Sequence, residues 1–488
     1  MNLRRRLADL PGLAEANVFV ILAVLIPGVL MAFRLRREIV QDAWYTLLGG
    51  RLVARAGIPQ HNTLTVLAHG HTWVDQQWLG QLFFYGLWAA GGWGLSLLVV
   101  IGLYLAAFAV LAVAARVWGA SERSTALVTA IGLATGISNT VLRTQVAAYL
   151  LCAVVLVLLL ADERKPGRRV FAVAPVLVLW ANVHGSVLIG AGLVALYGAT
   201  SGYAAIRRRG ESLPGLARAA ALVLLPWPCA LISPYGFALA GYYRHFASGS
   251  ALANTVTEWA PSTVRSQPFF FVVLGAVLFV VWRQRGALRP FAQLAVVATA
   301  IGGLLANRNI VWFALVSAAV VPRALDELWP PGRGAERRPQ ANRAIASVAL
   351  FVLVLVAGTA ATNSKAWFEI NYPRSAADIV SRAATRDLTL RVYANEAFPD
   401  WLLYEHPSLD GRVSFDIRYE LLSDRDLKSI AAFESRSGAD WRAATDGYSL
   451  LVLNPKEPGV AYYRSVGART LYQDAHVVVL ELAGAGAS

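Results

Sequence analysis

Charged side chains are scarce in this sequence. Asp, Glu, Lys and Arg make up 15% of its 488 residues, against about a quarter in an ordinary soluble protein. That shortage excludes a typical cytosolic enzyme. The hydrophobic share of 57% excludes a disordered chain, which could not keep so much apolar surface in water. Cysteine is almost missing. The two present, Cys152 and Cys229, lie inside apolar runs, so there is neither a disulfide framework nor metal-ligand spacing. No G-x-x-x-x-G-K-[ST] stretch occurs, which argues against direct ATP drive, and no H-E-x-x-H, which argues against a zinc protease. Repeats and low-complexity tracts are missing too, apart from an Ala/Val/Leu bias inside the apolar runs. Acidic residues are the rarer charge, 30 against 44 basic, for a formal +14. In a soluble protein that excess would suggest nucleic acid. In a membrane protein it reflects arginines gathered in cytoplasmic loops, and no nucleic-acid partner is expected.

Apolar length is abundant, with a mean hydropathy of +0.50. A first run, about 17–33, is followed by FRLRRE and no A-x-A cleavage site, so it reads as an uncleaved span rather than a signal peptide. Ten more follow at about 95–117, 126–139, 146–161, 170–183, 187–205, 217–232, 268–282, 291–306, 310–321 and 344–362. With the first they make an α-helical polytopic membrane protein of about eleven spans, several of them shorter than the roughly 20 residues a bilayer asks for. The basic loops Asp162–Arg169, Arg207–Arg218, Trp282–Arg289 and Arg323–Arg343 all fall inside if the N-terminus, MNLRRR, is cytoplasmic. Arg34, Arg36 and Arg37 are the exception, because they follow the first span on its outer side.

An odd number of spans leaves the C-terminus outside. Residues 363–488 are richer in charge and carry short alternating runs, LRVYA, RVSFDI, SLLVLN and HVVVLEL, with helical DRDLKSIAAF among them. They read as strands and helices of a small C-terminal α/β extracytoplasmic domain. The chain thus divides into a membrane module, 1–362, and an outer domain, 363–488.

The first outer loop, 34–78, is too polar to span and too rich in Trp, His, Asp and Gly to be a passive linker. QDAWYTLLGGRLVARAG places Trp44, Leu47, Leu48, Leu52 and Val53 at helical spacing, as in a helix lying along the membrane surface. Asp42 sits at its start and Asp75 lies further along the loop. Other outer connections add Arg143 in SNTVLRTQ, His184 in WANVHGS, Glu258 before Trp259, and Arg308 in ANRNIVWF. Alone, each has an ordinary structural explanation. Asp42 could simply cap its helix. Either arginine could snorkel to headgroups. His184 could pack between spans, Glu258 could pair with Arg265, and Trp44, Trp73, Trp78 and Trp259 could be belt aromatics. Together, charges at one membrane boundary suggest a site for an anionic, membrane-borne substrate.

These segments, with WVDQQWLGQ and SPYG, resemble the GT-C superfamily of polytopic glycosyltransferases, in particular bacterial members related to lipid-carrier mannosyl- and aminoarabinose transferases. The resemblance covers essentially the whole chain. It implies hexosyl or pentosyl transfer from a polyprenyl-phosphate-linked sugar to a glycan, lipid or protein acceptor, at the outer face of the cytoplasmic membrane and among membrane lipids. It makes Asp42 the catalytic base. Arg308 and Arg143 become candidates for the carrier phosphate, and His184, Glu258 and Asp75 for substrate binding. The family often carries a second acidic residue beside the first. Ala43 stands in that place here, so no metal ligands are assigned and the cofactor stays open. The competing reading is a transporter or flippase of a lipid-linked or small solute. Such proteins usually show paired repeats and mid-bilayer polar sites, which this sequence lacks.

Overall fold

The computed structural model describes residues 16–207, 213–248, 258–330 and 339–482. MNLRRR, parts of two basic loops (208–212 and 331–338) and residues 249–257 of one outer connection lie outside the described residues. Each apolar segment read from the sequence coincides with helical structure. In chain order the helices are α1 Val18–Ala32, α2 Gln41–Ala56, α3 Trp78–Val117, α4 Glu122–Gly136, α5 Gln145–Arg164, α6 Val173–Val183, α7 Val187–Arg207, α8 Leu213–Leu231, α9 Ala238–Ser248, α10 Pro268–Arg283, α11 Pro290–Leu305, α12 Ile310–Leu328 and α13 Pro339–Thr362. Among the described residues six are long and apolar enough to cross a membrane: α3, α5, α7, α8, α13 and α12 with the short turn before it. Helices α1, α10 and α11 are apolar but shorter.

Local chemistry sets several boundaries. Ser121 caps α4, its Oγ accepting the Ser124 N–H at 3.2 Å. Helix α3 is broken at Gly91 and Gly92. Gly92 takes φ +61°, which a side chain would strain, and the break separates an N-terminal stretch along α2 from the longer apolar stretch.

Helix α2 forms where the periodicity places it, but its surroundings are protein. Trp44, Leu47 and Leu48 are buried. On the opposite side, Gly49 and Gly50 let α3 approach so closely that a Cβ on Gly50 would lie 2.3 Å from the Gln81 carbonyl oxygen. A further helix, α16 Pro399–Glu405, packs on α2. There Arg51 donates to the Tyr404 and Leu403 carbonyls at 2.5 and 3.0 Å. Apolar periodicity reveals one contact face; the glycines supply a second.

After α13 come α14 Lys365–Phe368, α15 Arg374–Arg386, α16, α17 Asp424–Ser435 and α18 Pro458–Ser465, with strands β1 Val392–Ala394, β2 Leu450–Leu453, β3 Arg469–Gln473 and β4 Val478–Glu481. The sheet order is β1-β2-β4-β3, with β1 and β2 parallel and the other pairs antiparallel. Side chains alternate between its faces. Val392, Ala394, Leu450, Val452 and Val479 join the core that runs on into the helical bundle. Tyr393, Leu451, Leu453, Val478 and Leu480 pack on Leu427, Ile430 and Phe433 of α17 and on α18. RVSFDI is not a strand of this sheet. Val413 instead makes isolated bridges to Val392 and to Thr65 of the first loop. Gly411 N–H to Leu64 O and Val66 N–H to Val413 O, at 2.9 and 2.8 Å, stitch that loop to the C-terminal segment.

Candidate functional site

Between the helix ends, the first loop and the C-terminal segment lies a cavity of about 650 Å³. Asp42, Arg143, His184, Glu258 and Arg308 all line it, although they come from five separate connections. Helix α2 delivers Asp42 in its first turn. Its N-cap is Val40, so Asp42 is not the capping residue. Its side chain is 26% exposed, toward the cavity, and one carboxylate oxygen lies 3.9 Å from Arg143 Nη1.

Arg143, with a side chain 6% exposed, donates from Nη1 to both oxygens of Glu258 at 3.0 and 2.7 Å and from Nη2 to Asn139 Oδ1 at 3.2 Å. Glu258 therefore pairs at the cavity with Arg143 rather than with nearby Arg265. Arg308 donates to Gln145 Oε1 at 3.0 Å and lies 4.2 Å over the Trp259 ring. The two arginines are thus held differently: Arg143 is committed to a carboxylate and Arg308 to neutral groups. The tryptophans read as belt residues work inside the protein. Trp44 and Trp73 are buried, and Trp78 donates to Asn182 Oδ1 at 2.9 Å.

Burial lifts the Asp42 carboxyl above the usual carboxylate range. Arg143 and Arg308 oppose that rise and Glu258 adds to it. Burial also pushes Glu258 up, but Arg143 and Arg308 prevail and hold it below its ordinary value. His184 is pushed well below its ordinary range by burial, then by Arg308 and Arg143, so its imidazole is neutral at pH 7.

Asp75 is not brought to the cavity. It is 1% exposed and is absent from the lining, behind Tyr45 and Gln77, which do line it. Burial raises its carboxyl to about 7, against the pull of Gln77 N–H and Arg418. Arg34 and Arg37 are exposed and lie off the cavity; the Arg36 side chain lies outside the described residues.

Among the described residues no three His, Cys, Asp or Glu side chains could hold a metal ion together. The acidic neighbour of Asp42, Glu258, is bound to Arg143. A carboxylate engaged by a guanidinium does not suit a divalent metal.

No family model matches the sequence, and no curated protein does. Solved structures do match. Archaeal oligosaccharyltransferase AglB from Archaeoglobus fulgidus, in complex with an inhibitory peptide and a dolichol-phosphate, aligns with a TM-score of 0.52 at 12% identity, over 89% of this chain and 69% of that one. ArnT from Cupriavidus metallidurans, bound to undecaprenyl phosphate, aligns with a TM-score of 0.50 at 15% identity, over 95% of this chain and 98% of that one.

The chain has the fold of these two structures.

The C-terminal segment lends the cavity Glu396, Arg418, Tyr419, Glu420 and Glu434, none of which stood out in the sequence. The available signal was D-x-R-Y-E inside RVSFDIRYE, dense charge in a strand-like run. Arg418, 1% exposed, donates from Nε to both Asp416 oxygens at 3.0 and 3.1 Å and from Nη2 to Asn62 Oδ1 at 2.7 Å. It also lies 4.1 Å over the Trp73 ring. It joins the first loop to the C-terminal segment at the cavity wall. Burial lifts Glu420 to about 7, against Arg418.

The position of Asp75 gives a test. The sign follows from its raised folded value. Below about pH 4 the carboxyl is protonated whether the chain is folded or not. Between about pH 4 and 7 the unfolded chain gives up this proton while the folded protein keeps it, so stability falls across that window and levels off above about 7. Asp75→Asn should keep turnover and should gain thermal stability over wild type as pH rises from 5 to 8. Melting curves across that range check it. Lost turnover with an unchanged melting profile would return Asp75 to the site.

Proposed function

We propose that the chain is an integral-membrane glycosyltransferase that moves a sugar from a polyprenyl-phosphate carrier to an acceptor at the outer face of the cytoplasmic membrane. The observation that carries this reading is the convergence of Asp42, Arg143, His184, Glu258 and Arg308 on one cavity of a GT-C fold. AglB and ArnT, which share the fold, hold dolichol-phosphate and undecaprenyl phosphate in their structures. All eleven apolar helices would span or enter the bilayer, with 1–362 as the membrane module and 363–488 on the outer side with the site.

The acceptor's nucleophilic oxygen or nitrogen attacks the anomeric carbon of the sugar. Asp42 takes its proton as that bond forms. The bond from the anomeric carbon to the phosphate oxygen breaks, and its electron pair leaves with the carrier phosphate. A carboxyl held above its ordinary range is a stronger base than an exposed one. Arg308 meets the charge growing on the phosphate. Arg143 holds Glu258 at the cavity lining, where Glu258 can accept hydrogen bonds from sugar or acceptor hydroxyls. Glu420 and its neighbours close the acceptor side.

Arg308→Lys keeps a charge but loses the planar fork. It should weaken donor use by about ten- to a hundredfold, the value of one charge-assisted contact of roughly 1.5–3 kcal/mol. A donor titration in reconstituted membranes checks this. Unchanged donor dependence would place the phosphate elsewhere. For the orientation, reporter fusions should read cytoplasmic after Gly167 and external at the C-terminus.

A further inference from the structure

His184 is held in a way that packing alone does not require. Its Nδ1 lies 3.0 Å from the Ser186 backbone nitrogen and 2.9 Å from Ser186 Oγ. A backbone N–H can only donate, so Nδ1 must accept. The Trp180 indole N–H donates to the same Ser186 Oγ at 3.0 Å, leaving the hydroxyl hydrogen to point at Nδ1 as well. A neutral imidazole that accepts at Nδ1 carries its proton on Nε2. Among the described residues Nε2 has no hydrogen-bond partner, and His184 lines the cavity with Arg143 and Arg308. Arg143 is already bonded to Glu258.

We infer that His184 is a fixed neutral hydrogen-bond donor to the carrier phosphate, presenting Nε2–H to the cavity beside the Arg308 guanidinium. The inference rests on the glycosyltransferase reading of this cavity and gives it a second phosphate contact. Burial and the two arginines disfavour a second proton on the ring, so the donor keeps its form across neutral pH. A donor fixed before the reaction needs no rearrangement as negative charge gathers on the departing phosphate. It adds direction without a third full positive charge that would hold the product back.

Two substitutions separate the ring nitrogens. The side-chain nitrogen of Gln reaches the place of Nε2, whereas Asn reproduces only the place of Nδ1 and keeps an acceptor for the Ser186 N–H. The probe is undecaprenyl phosphate without a sugar, titrated into the full-length chain in lipid nanodiscs, with inorganic phosphate as competitor. His184→Asn should weaken binding by about ten- to a hundredfold, and His184→Gln should stay within about threefold of wild type. Melting temperatures near wild type for both show that folding is intact. Competition by inorganic phosphate would show that the headgroup carries the contact. Wild-type affinity in both variants, or equal weakening in both, overturns the His184 inference and leaves the cavity reading standing. A wild-type chain that binds no undecaprenyl phosphate overturns the functional reading itself.

Discussion

Asp42→Asn is expected to lower sugar transfer by about 10²–10⁴-fold, the usual contribution of a positioned general base, while expression and stability in detergent stay near wild type. Asparagine keeps the shape and hydrogen-bonding capacity of the side chain but cannot take a proton. The N-cap of α2 is Val40, so the substitution removes no cap. The nearest cation, Arg143 at 3.9 Å, is held by Glu258 and Asn139 whether or not residue 42 is charged. The pH profile gives an independent sign. Burial holds the Asp42 carboxyl above the ordinary carboxylate range. The wild-type rate should therefore fall on acidification at a higher pH than an exposed aspartate would give, and the residual rate of the variant should lack that limb. Retained turnover in Asp42→Asn would reject the base assignment.

Arg418→Met should have the largest effect on stability, about 3–5 kcal/mol, the cost of breaking a buried ion pair from one side. The guanidinium is bonded to Asp416 and Asn62 and lies over Trp73. Burial and Asp416 hold the nearby Asp400 carboxyl well above its ordinary range, with Arg418 pulling the other way. Without Arg418, Asp416 is left buried and unpaired. The first loop should then come away from the C-terminal segment, taking the cavity wall with it. Limited proteolysis should open residues 60–72, and thermal unfolding should shift to lower temperature. Arg418→Met combined with Asp416→Leu should recover much of the loss, because an apolar pair removes both desolvated charges. An Arg418→Met chain as stable and protease-resistant as wild type would show that the contact does not hold the two parts together.

The helices could be read from sequence because a bilayer demands long apolar runs. The same demand made the site residues stand out: Asp42, Arg143, His184, Glu258 and Arg308 interrupt apolar surroundings at one end of their helices, and all of them meet at the cavity. Asp75 shares that loop, but adjacency in sequence says nothing about which way a side chain faces, and it turns into the protein. Strand β3 escaped notice because it is an edge strand with largely exposed residues, RTLYQ, and so carries no buried face to alternate. RVSFDI has a strand's alternation but finds only isolated bridges. The Arg418–Asn62 bond joins residues 356 positions apart, a pairing that local pattern cannot encode. Helix α2 was legible as a helix, while its burial depends on Gly49 and Gly50 meeting α3 and on α16 closing over it.

The most direct test of the functional account is a structure of the full-length chain in lipid nanodiscs with undecaprenyl phosphate bound. The account predicts the phosphate inside the cavity within hydrogen-bond distance of Arg308, its lipid tail running out between helices and Asp42 facing the open space beyond the phosphate. A phosphate bound at another face of the helical bundle, with this cavity vacant, would contradict it.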